Sequence, residues 1–557
     1  MRTRLHASLP IAVGLALLIG LGIGMRCWLG RNPFADGTQN EYLHVGNAFD
    51  LWDALRARDL WHLRYYVAHA YWPPGFYAAP WPLLALLGRG RDPLVLTNLA
   101  WLALALSAVH GLCEHRRASV IAMLLLVLSP GVFGPLVRFE PSVAQAACLG
   151  WALLALHRSQ GLTRPGWSFA AGLAVAIGLL TDRLGVAPFV ALPGLLVLLP
   201  APPPPAPAAR VRIPPDAAAA LPETPRWRLP WRGLLLCALP VLVLAGPWYL
   251  QWFSSQAGEV GSQLAAGEID SAGAHTETAT LGPRWAYYLA ALLDGQAGPV
   301  LGAWMLGALA IAAVQRLRGL GSLRRPAAEG LALLAVISGL LLFTAIQKKQ
   351  VFYTLPLLVP LAVLGGNLVA RAGVLGAPLL FGLAVAGLAQ YTGRLWGHLP
   401  PHAGAWAGAD PLPEAWVQPR HTLARPPSDD PFPLEPLRTA LGEPRGRLIV
   451  FGDSSQYYEG FLSLSLRELY PGVPVHGLRG DPAGTYEWFR TADAFLCVSE
   501  SGVWPTQARL DQALESDHYD PTTLPPVTEL VARQADRWEL TATWPLEGAS
   551  ATVWKRK

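Results

Sequence analysis

Residues 8–29 read SLPIAVGLALLIGLGIGMRCWL, an apolar run that meets no charge before Arg26, and this stretch decides the class of protein. A hydrocarbon core about 30 Å thick takes roughly 20 such residues as a helix, and backbone in lipid must find its hydrogen bonds within its own segment. Runs of this kind recur as far as Tyr391, whereas Trp396–Lys557 contains none. Outward from the first, spans fit near 8–29, 93–112, 118–137, 141–157, 167–181, 185–200, 233–252, 296–315, 327–346, 353–370 and 373–391, about eleven transmembrane helices. Composition agrees, with 52% hydrophobic and 15% charged residues among 557, where soluble domains carry about 25% charged. A purely soluble enzyme is excluded. The expected fold class is an α-helical polytopic membrane protein over 1–391 with a C-terminal soluble α/β domain over 392–557.

Arg2 and Arg4 precede the first span, and Arg116/Arg117, Arg158/Arg164, Arg210 to Arg232 and Arg316 to Arg325 fall in every second loop. The positive-inside rule puts these in the cytoplasm. The amino terminus is then cytoplasmic, and the loops 30–92, 138–140, 182–184, 253–295 and 347–352 share the extracytoplasmic face with the C-terminal domain. The expected location is the inner or plasma membrane, crossed many times. A basic start and apolar core also fit a signal peptide, but Met25-Arg26-Cys27-Trp28 is a poor small-residue cleavage site, so the run is read as a retained anchor. Residues 201–230, with four prolines at 202–205 and an Ala-rich stretch after Asp216, read as a cytoplasmic Pro/Ala-rich linker. Four of the five cysteines lie in or beside apolar runs and Cys497 stands alone in the tail, which excludes a disulfide within the tail and a Cys-based metal cluster. A net charge of +5, from 43 basic and 38 acidic residues, gives no sign of a nucleic-acid partner.

Loop 30–92 alternates aromatic and polar residues and reads as amphipathic helices lying in the interface, where Trp and Tyr suit headgroup depth. It holds Asp36, Glu41 and His44; the last two are three apart and share a helix face. The same residues fit a solvated helix start capped by Asp36. Arg138 and Glu140 mark the outer end of a span, where charge is costly and functional or paired. Loop 253–295 adds His275, Glu277 and Arg284; the first two offer a divalent metal ion two ligands, in a stretch that also reads as a solvated loop. The lysines are Lys348, Lys349, Lys555 and Lys557, so two of the four sit together in QKKQVF at 347–352, just ahead of Tyr353. Lysine is a compact point charge suited to phosphate, and equally to anchoring a helix end among headgroups.

Taken in order, these cues resemble the GT-C superfamily of polyprenyl-phosphate-dependent glycosyltransferases, in the branch of protein O-mannosyltransferases and the lipid A aminoarabinose transferase. Asn40-Glu41-Tyr42-Leu43-His44 occupies the place of the family's Asp-Glu-Tyr opening, and Tyr71-Trp72-Pro73-Pro74-Gly75 its Pro-containing aromatic segment. Glu140-Pro141, Gly246-Pro247-Trp248-Tyr249 and the series Lys349, Tyr353, Pro356 are similar to three further family cues. The resemblance covers roughly 8–391. It implies an inverting glycosyltransferase that moves a sugar from a polyprenyl-phosphate donor to a cell-envelope lipid, glycan or protein acceptor on the extracytoplasmic, periplasmic face. Glu41, Asp36 and Glu140 would be the catalytic carboxylates, Lys349, Lys348, Arg183, Arg138 and Tyr353 would hold the donor phosphate, and His44 and Arg284 would face acceptor or loop.

Two positions depart from the pattern: Asn40 stands where the family has a catalytic Asp, and Thr181-Asp182-Arg183 where it has Thr-Lys-Gly, so Arg183 takes the place of a lysine. Two other classes compete. A lipid-linked sugar transporter or flippase would carry polar groups at the bilayer midplane, and a catalytically inactive GT-C-like scaffold is compatible with Asn40. In the tail, RLIVFG from Arg447, Val473–Gly477 and ADAFLCV at 492–498 predict strands, with helical period over 457–470 and near 486–490, and closing strands between Pro526 and Trp554. No GxGxxG follows the first strand, which argues against a nucleotide site.

Overall fold

The computed structural model describes residues 2–31, 39–69, 72–183, 185–198, 230–253, 288–289, 291–318, 328–345 and 351–395. In the tail it describes 434–442, 444, 447–452, 466, 470, 473, 475–477, 492–499, 538–546 and 549–557. The expected helical segments 457–470 and 486–490 fall almost wholly outside these residues, as does the linker 201–229.

The chain is mostly helical. In order come α1 (Arg2–Arg31), α2 (Gln39–Arg56), α3 (Leu60–His69), α4 (Gly75–Ala78), α5 (Trp81–Leu87), α6 (Arg91–Leu112), α7 (Arg116–Val127), α8 (Pro130–Val137), α9 (Ser142–Ser159), α10 (Pro165–Thr181) and α11 (Ala187–Leu198). There follow α12 (Trp231–Phe253), α13 (Pro299–Arg318), α14 (Ala328–Ala345), α15 (Leu358–Arg371), preceded by a 3-10 turn from Val351, and α16 (Gly376–Leu395). Among the described residues six helices suffice, by length and composition, to cross a membrane: Leu9–Cys27, Arg91–Leu112, Trp231–Phe253, Pro299–Arg318, Ala328–Ala345 and Tyr353–Arg371. The pair α7 and α8 makes a seventh if its 62° bend counts as one broken span. Each of the eleven expected segments contains helix among its described residues. The other four, α9, α10, α11 and α16, are shorter or more polar; α10 has 17 residues, about 25 Å of helix at 1.5 Å per residue, less than a hydrocarbon core.

Bend and shortness have local causes. Ser129-Pro130 sits between α7 and α8, where proline removes a donor and biases its predecessor toward extended backbone; Ser129 has ψ 116°. Close helix contact is set by glycine. A Cβ on Gly172 of α10 would lie 1.9 Å from the Cys237 carbonyl of α12, and one on Gly233 of α12 would lie 1.9 Å from the Leu162 carbonyl in the turn before α10, so α12 lies backbone to backbone against α10 and that turn.

Loop contacts sort to two ends of this bundle. Arg91 Nη2 donates to Val137 O at 3.1 Å and Phe139 stacks on Phe76 at 4.4 Å, which joins loop 30–92 to loop 138–140. At the other end Arg371 meets Glu329 at 2.5 Å and Glu114 at 3.8 Å.

The tail holds a five-stranded sheet of β1 (Arg447–Gly452), β2 (Val475–Gly477), β3 (Ala492–Ser499), β4 (Trp538–Leu546) and β5 (Ala549–Arg556), in the order β2-β1-β3-β5-β4. The first three are parallel, with Leu448 opposite Val475 and Ala494, and β5 runs antiparallel to β3 and β4. Alternate residues Leu448 and Val450, Ala494 and Leu496 are buried with Val553 beneath α17 (Leu434–Leu441), whose Leu437 and Leu441 complete this core. Period-two burial is what a sheet with one covered face dictates. The strands lie where the apolar alternation predicts them.

Candidate active site

Three chain segments far apart in sequence meet at the end of the bundle that holds loop 30–92. The helix α2 buries Val45, Ala48, Phe49 and Trp52 against Phe76, Tyr77 and Phe139, and this apolar seam fixes its roll. His44 therefore points inward, 3% exposed, with Nδ1 2.8 Å from Tyr77 Oη; Asn47, three residues on, donates to the same oxygen at 3.3 Å. The segment Trp72–Tyr77 is pressed on the end of α10: a Cβ on Gly75 would lie 2.6 Å from Leu180 Cβ and 2.8 Å from Leu180 O. Only glycine allows that approach.

Beyond Thr181 the chain turns out of α10 through Asp182 and Arg183. The Arg183 guanidinium lies 4.2 Å from the centroid of the Trp72 ring, and the His44 ring is 5.1 Å from the same indole on centroids. Asp182 is buried and accepts from Gln145 Nε2 of α9 at 2.5 Å. Tyr249, near the end of α12, has its hydroxyl 2.5 Å from Arg183 O, 3.2 Å from Leu179 O and 3.4 Å from Asp182 O. The third segment, Arg138-Phe139-Glu140, leads into α9 and is itself buried, with Arg138 at 0% and Glu140 at 5% exposure. Asn98 Nδ2 of α6 donates to Arg138 O at 2.6 Å and so ties that turn to the bundle.

Burial and the nearby cation act on the titratable groups. Desolvation, with the charge of Arg183 adding to it, holds the His44 imidazole near pKa 3, so it is neutral at physiological pH. Burial pushes the Asp182 carboxyl above its ordinary range, against the opposing pull of Arg183 and of hydrogen bonds from Gln145 and the Arg183 backbone. Burial likewise raises the Tyr77 phenol, which stays protonated. The junction thus holds a neutral hydrogen-bonding group, a cation stacked on an aromatic face and a carboxyl of raised proton affinity, a combination concentrated at functional sites.

Of the residues expected at a site, His44, Arg138, Glu140 and Arg183 are thus brought to one junction, while Glu41 lies in the first turn of α2, three residues before His44, with its side chain outside the described residues. Tyr353 lies in the 3-10 turn ahead of α15, its ring 5.2 Å from Phe343. Asp36, Lys348, Lys349, His275, Glu277 and Arg284 lie outside the described residues. Among the described residues no three His, Cys, Asp or Glu gather as a metal site would require. From the sequence alone no site role falls to Asn47, Tyr77, Gln145, Asp182 or Tyr249, although Asp182 and Tyr249 stand within two of the motifs quoted above. The signal for Asp182 was present as a charge at a span end; the others are ordinary polar residues whose partners lie 30 to 70 positions away.

No protein-family model matches this sequence, and no curated protein matches it. Among solved structures the chain is similar to ArnT from Cupriavidus metallidurans, bound to undecaprenyl phosphate, at 15% identity over 98% of this chain and 97% of that one, with a TM-score of 0.49. It is also similar to the oligosaccharyltransferase of Archaeoglobus fulgidus in complex with zinc and sulfate, at 11% identity over 94% of this chain and 71% of that one, TM-score 0.44. The arabinofuranosyltransferase AftD from Mycobacteria matches at 14% identity over 86% of this chain and 35% of that one, TM-score 0.35.

Proposed function

We propose that the chain is a membrane glycosyltransferase that moves a sugar from a polyprenyl-phosphate donor to a lipid, glycan or protein acceptor on the extracytoplasmic face. The observation that carries this reading is the junction itself: Arg183 on Trp72, His44 held neutral beside it, and the Arg138–Glu140 turn, all at the bundle end that holds loop 30–92. A lipid-linked donor keeps its tail in the bilayer, so its phosphate must be met at such an end. In the proposed step the acceptor hydroxyl oxygen bonds to the anomeric carbon from the face opposite the phosphate. The carbon–oxygen bond to phosphate breaks with its electron pair, and the hydroxyl proton passes to a carboxylate, Glu41 or Asp36. Arg183, Arg138, Lys348 and Lys349 offset the charge that develops on the leaving phosphate, and the inverting outcome follows from a single displacement. The described charges lie at helix ends rather than mid-span, which favours transfer over transport.

The test uses the full chain in lipid nanodiscs. Undecaprenyl phosphate serves as binding probe, and undecaprenyl-phosphoryl hexoses and pentoses serve as donors with a membrane-lipid extract as acceptor. Saturable binding of the probe, and release of undecaprenyl phosphate from at least one donor, are expected. Lys349→Ala should weaken both, with partial recovery in Lys349→Arg, because Arg keeps the charge in a different shape. Absence of both binding and release with every donor would remove the reading.

A further inference from the structure

Helix α10 ends at Thr181 with carbonyls that have no partner inside the helix. Thr181 Oγ1 donates to Gly178 O at 2.7 Å, within the helix. The Tyr249 hydroxyl, brought from α12, lies within reach of the carbonyls of Leu179, Asp182 and Arg183, nearest to the last at 2.5 Å. Its single proton serves them in turn. The donor is held on both sides. Below it, the glycine contacts at Gly172 and Gly233 clamp α12 to α10 and to the turn that leads into it. Between clamp and phenol, Val241–Ala245 forms a π-helical turn, which inserts a residue and rotates the rest of α12 by about 100° relative to an unbroken helix. Around it, Trp248 and Trp252 stack at 5.7 Å and Trp248 meets the Tyr249 ring edge-on at 4.8 Å. The next side chain along the capped turn is Arg183, whose guanidinium rests on Trp72.

We infer that Tyr249 is a positioning residue: its hydroxyl fixes the turn after α10 and thereby sets the Arg183 guanidinium against Trp72, where it receives the phosphate of the lipid donor. This rests on the glycosyltransferase reading. Tyr249 touches no reacting atom; it acts through the backbone on the cation. Tyr249→Phe keeps the ring and its stacking and removes the hydroxyl alone, so folding of the full chain is retained.

The experiment is a double-mutant cycle on the full chain in nanodiscs, with undecaprenyl phosphate as the probe. Tyr249→Phe should raise the Kd about three- to tenfold, the size of one hydrogen bond's net contribution. In an Arg183→Ala background the same change should leave Kd unaltered, because the group being positioned is gone. A role in stability alone would lower the melting temperature and give equal fold-changes in both backgrounds. Either that additivity or an unchanged Kd in Tyr249→Phe overturns the assignment while leaving the enzyme reading in place. A wild-type chain that does not bind the probe at all overturns both.

Discussion

At one end of the bundle Arg371 bridges Glu329 and Glu114 with side chains 44%, 14% and 47% exposed, while at the other Arg138, Asp182 and His44 are all under a tenth exposed. The first arrangement is inexpensive: most of its charge stays in contact with water and the pairs add little. The second is costly, since each buried polar group must be held by hydrogen bonds or its charge suppressed. A fold selected for stability alone would have no reason to gather such groups at one end. The contrast is what motivates the proposal of a site at that end, with the exposed pairs as fastening.

Glu41 gives the largest expected difference between the two ends. Glu41→Gln should lower sugar transfer by about 10² to 10⁴, the usual contribution of a positioned carboxylate, with folded protein still recovered. Asp36→Asn is the companion measurement, made by following release of undecaprenyl phosphate. Full turnover in the first and none in the second would move the role to Asp36.

Packing at the junction is next in size. Alanine at Gly75 must displace the end of α10 at Leu180, and overpacking of this kind costs about 1–3 kcal/mol. Alanine at Gly46 on α2 meets nothing within 4 Å and should be neutral or stabilising by up to about 1 kcal/mol. Thermal melting of the two variants separates these outcomes; equal behaviour would show that the Gly75 approach does not constrain the junction.

A pH series distinguishes the ends by slope. His44 is held near pKa 3 in the native chain, whereas an unfolded histidine titrates near 6.5. Below about 6.5 the unfolded state takes up a proton that the native state refuses, so stability falls as pH drops toward 3, by at most about 1.4 kcal/mol per unit. His44→Gln removes this term and should flatten the curve relative to wild type over that window. Identical slopes would show that the imidazole is not buried neutral.

Part of the membrane region was legible in the sequence because span length is a one-dimensional signal: each expected segment contains helix, and six of these helices among the described residues are long and apolar enough to cross a membrane. Arg138 and Arg183 stand out as charges at span ends and His44 by its helical spacing from Glu41, and the structure brings these three to one junction. What was not legible depends on contacts between helices. The Gln145 to Asp182 bond spans 37 residues and the Tyr249 to Leu179 bond 70; no local period encodes either. Nor does hydropathy reveal that α7 and α8 bend by 62°, since the pattern is continuous across Ser129-Pro130. The sheet was readable strand by strand, but not its order, which depends on pairing β3 with both β1 and β5.

The smallest effect belongs to the exposed end and is the control for all the others. Arg371 lies 2.5 Å from Glu329 and 3.8 Å from Glu114, tying the start of α14 and the turn before α7 to the end of α15. Such pairs gain modest Coulomb energy in a high-dielectric setting and lose side-chain freedom, so their net contribution is about 0–1 kcal/mol and weakens as salt screens it. Arg371→Ala should therefore lower the melting temperature slightly at low ionic strength, hardly at all at high salt, and leave undecaprenyl phosphate binding unchanged. Loss of probe binding in Arg371→Ala would break the comparison at its base. It would mean that a pair in solvent at the far end governs the buried junction, and that the two ends of the bundle do not act independently.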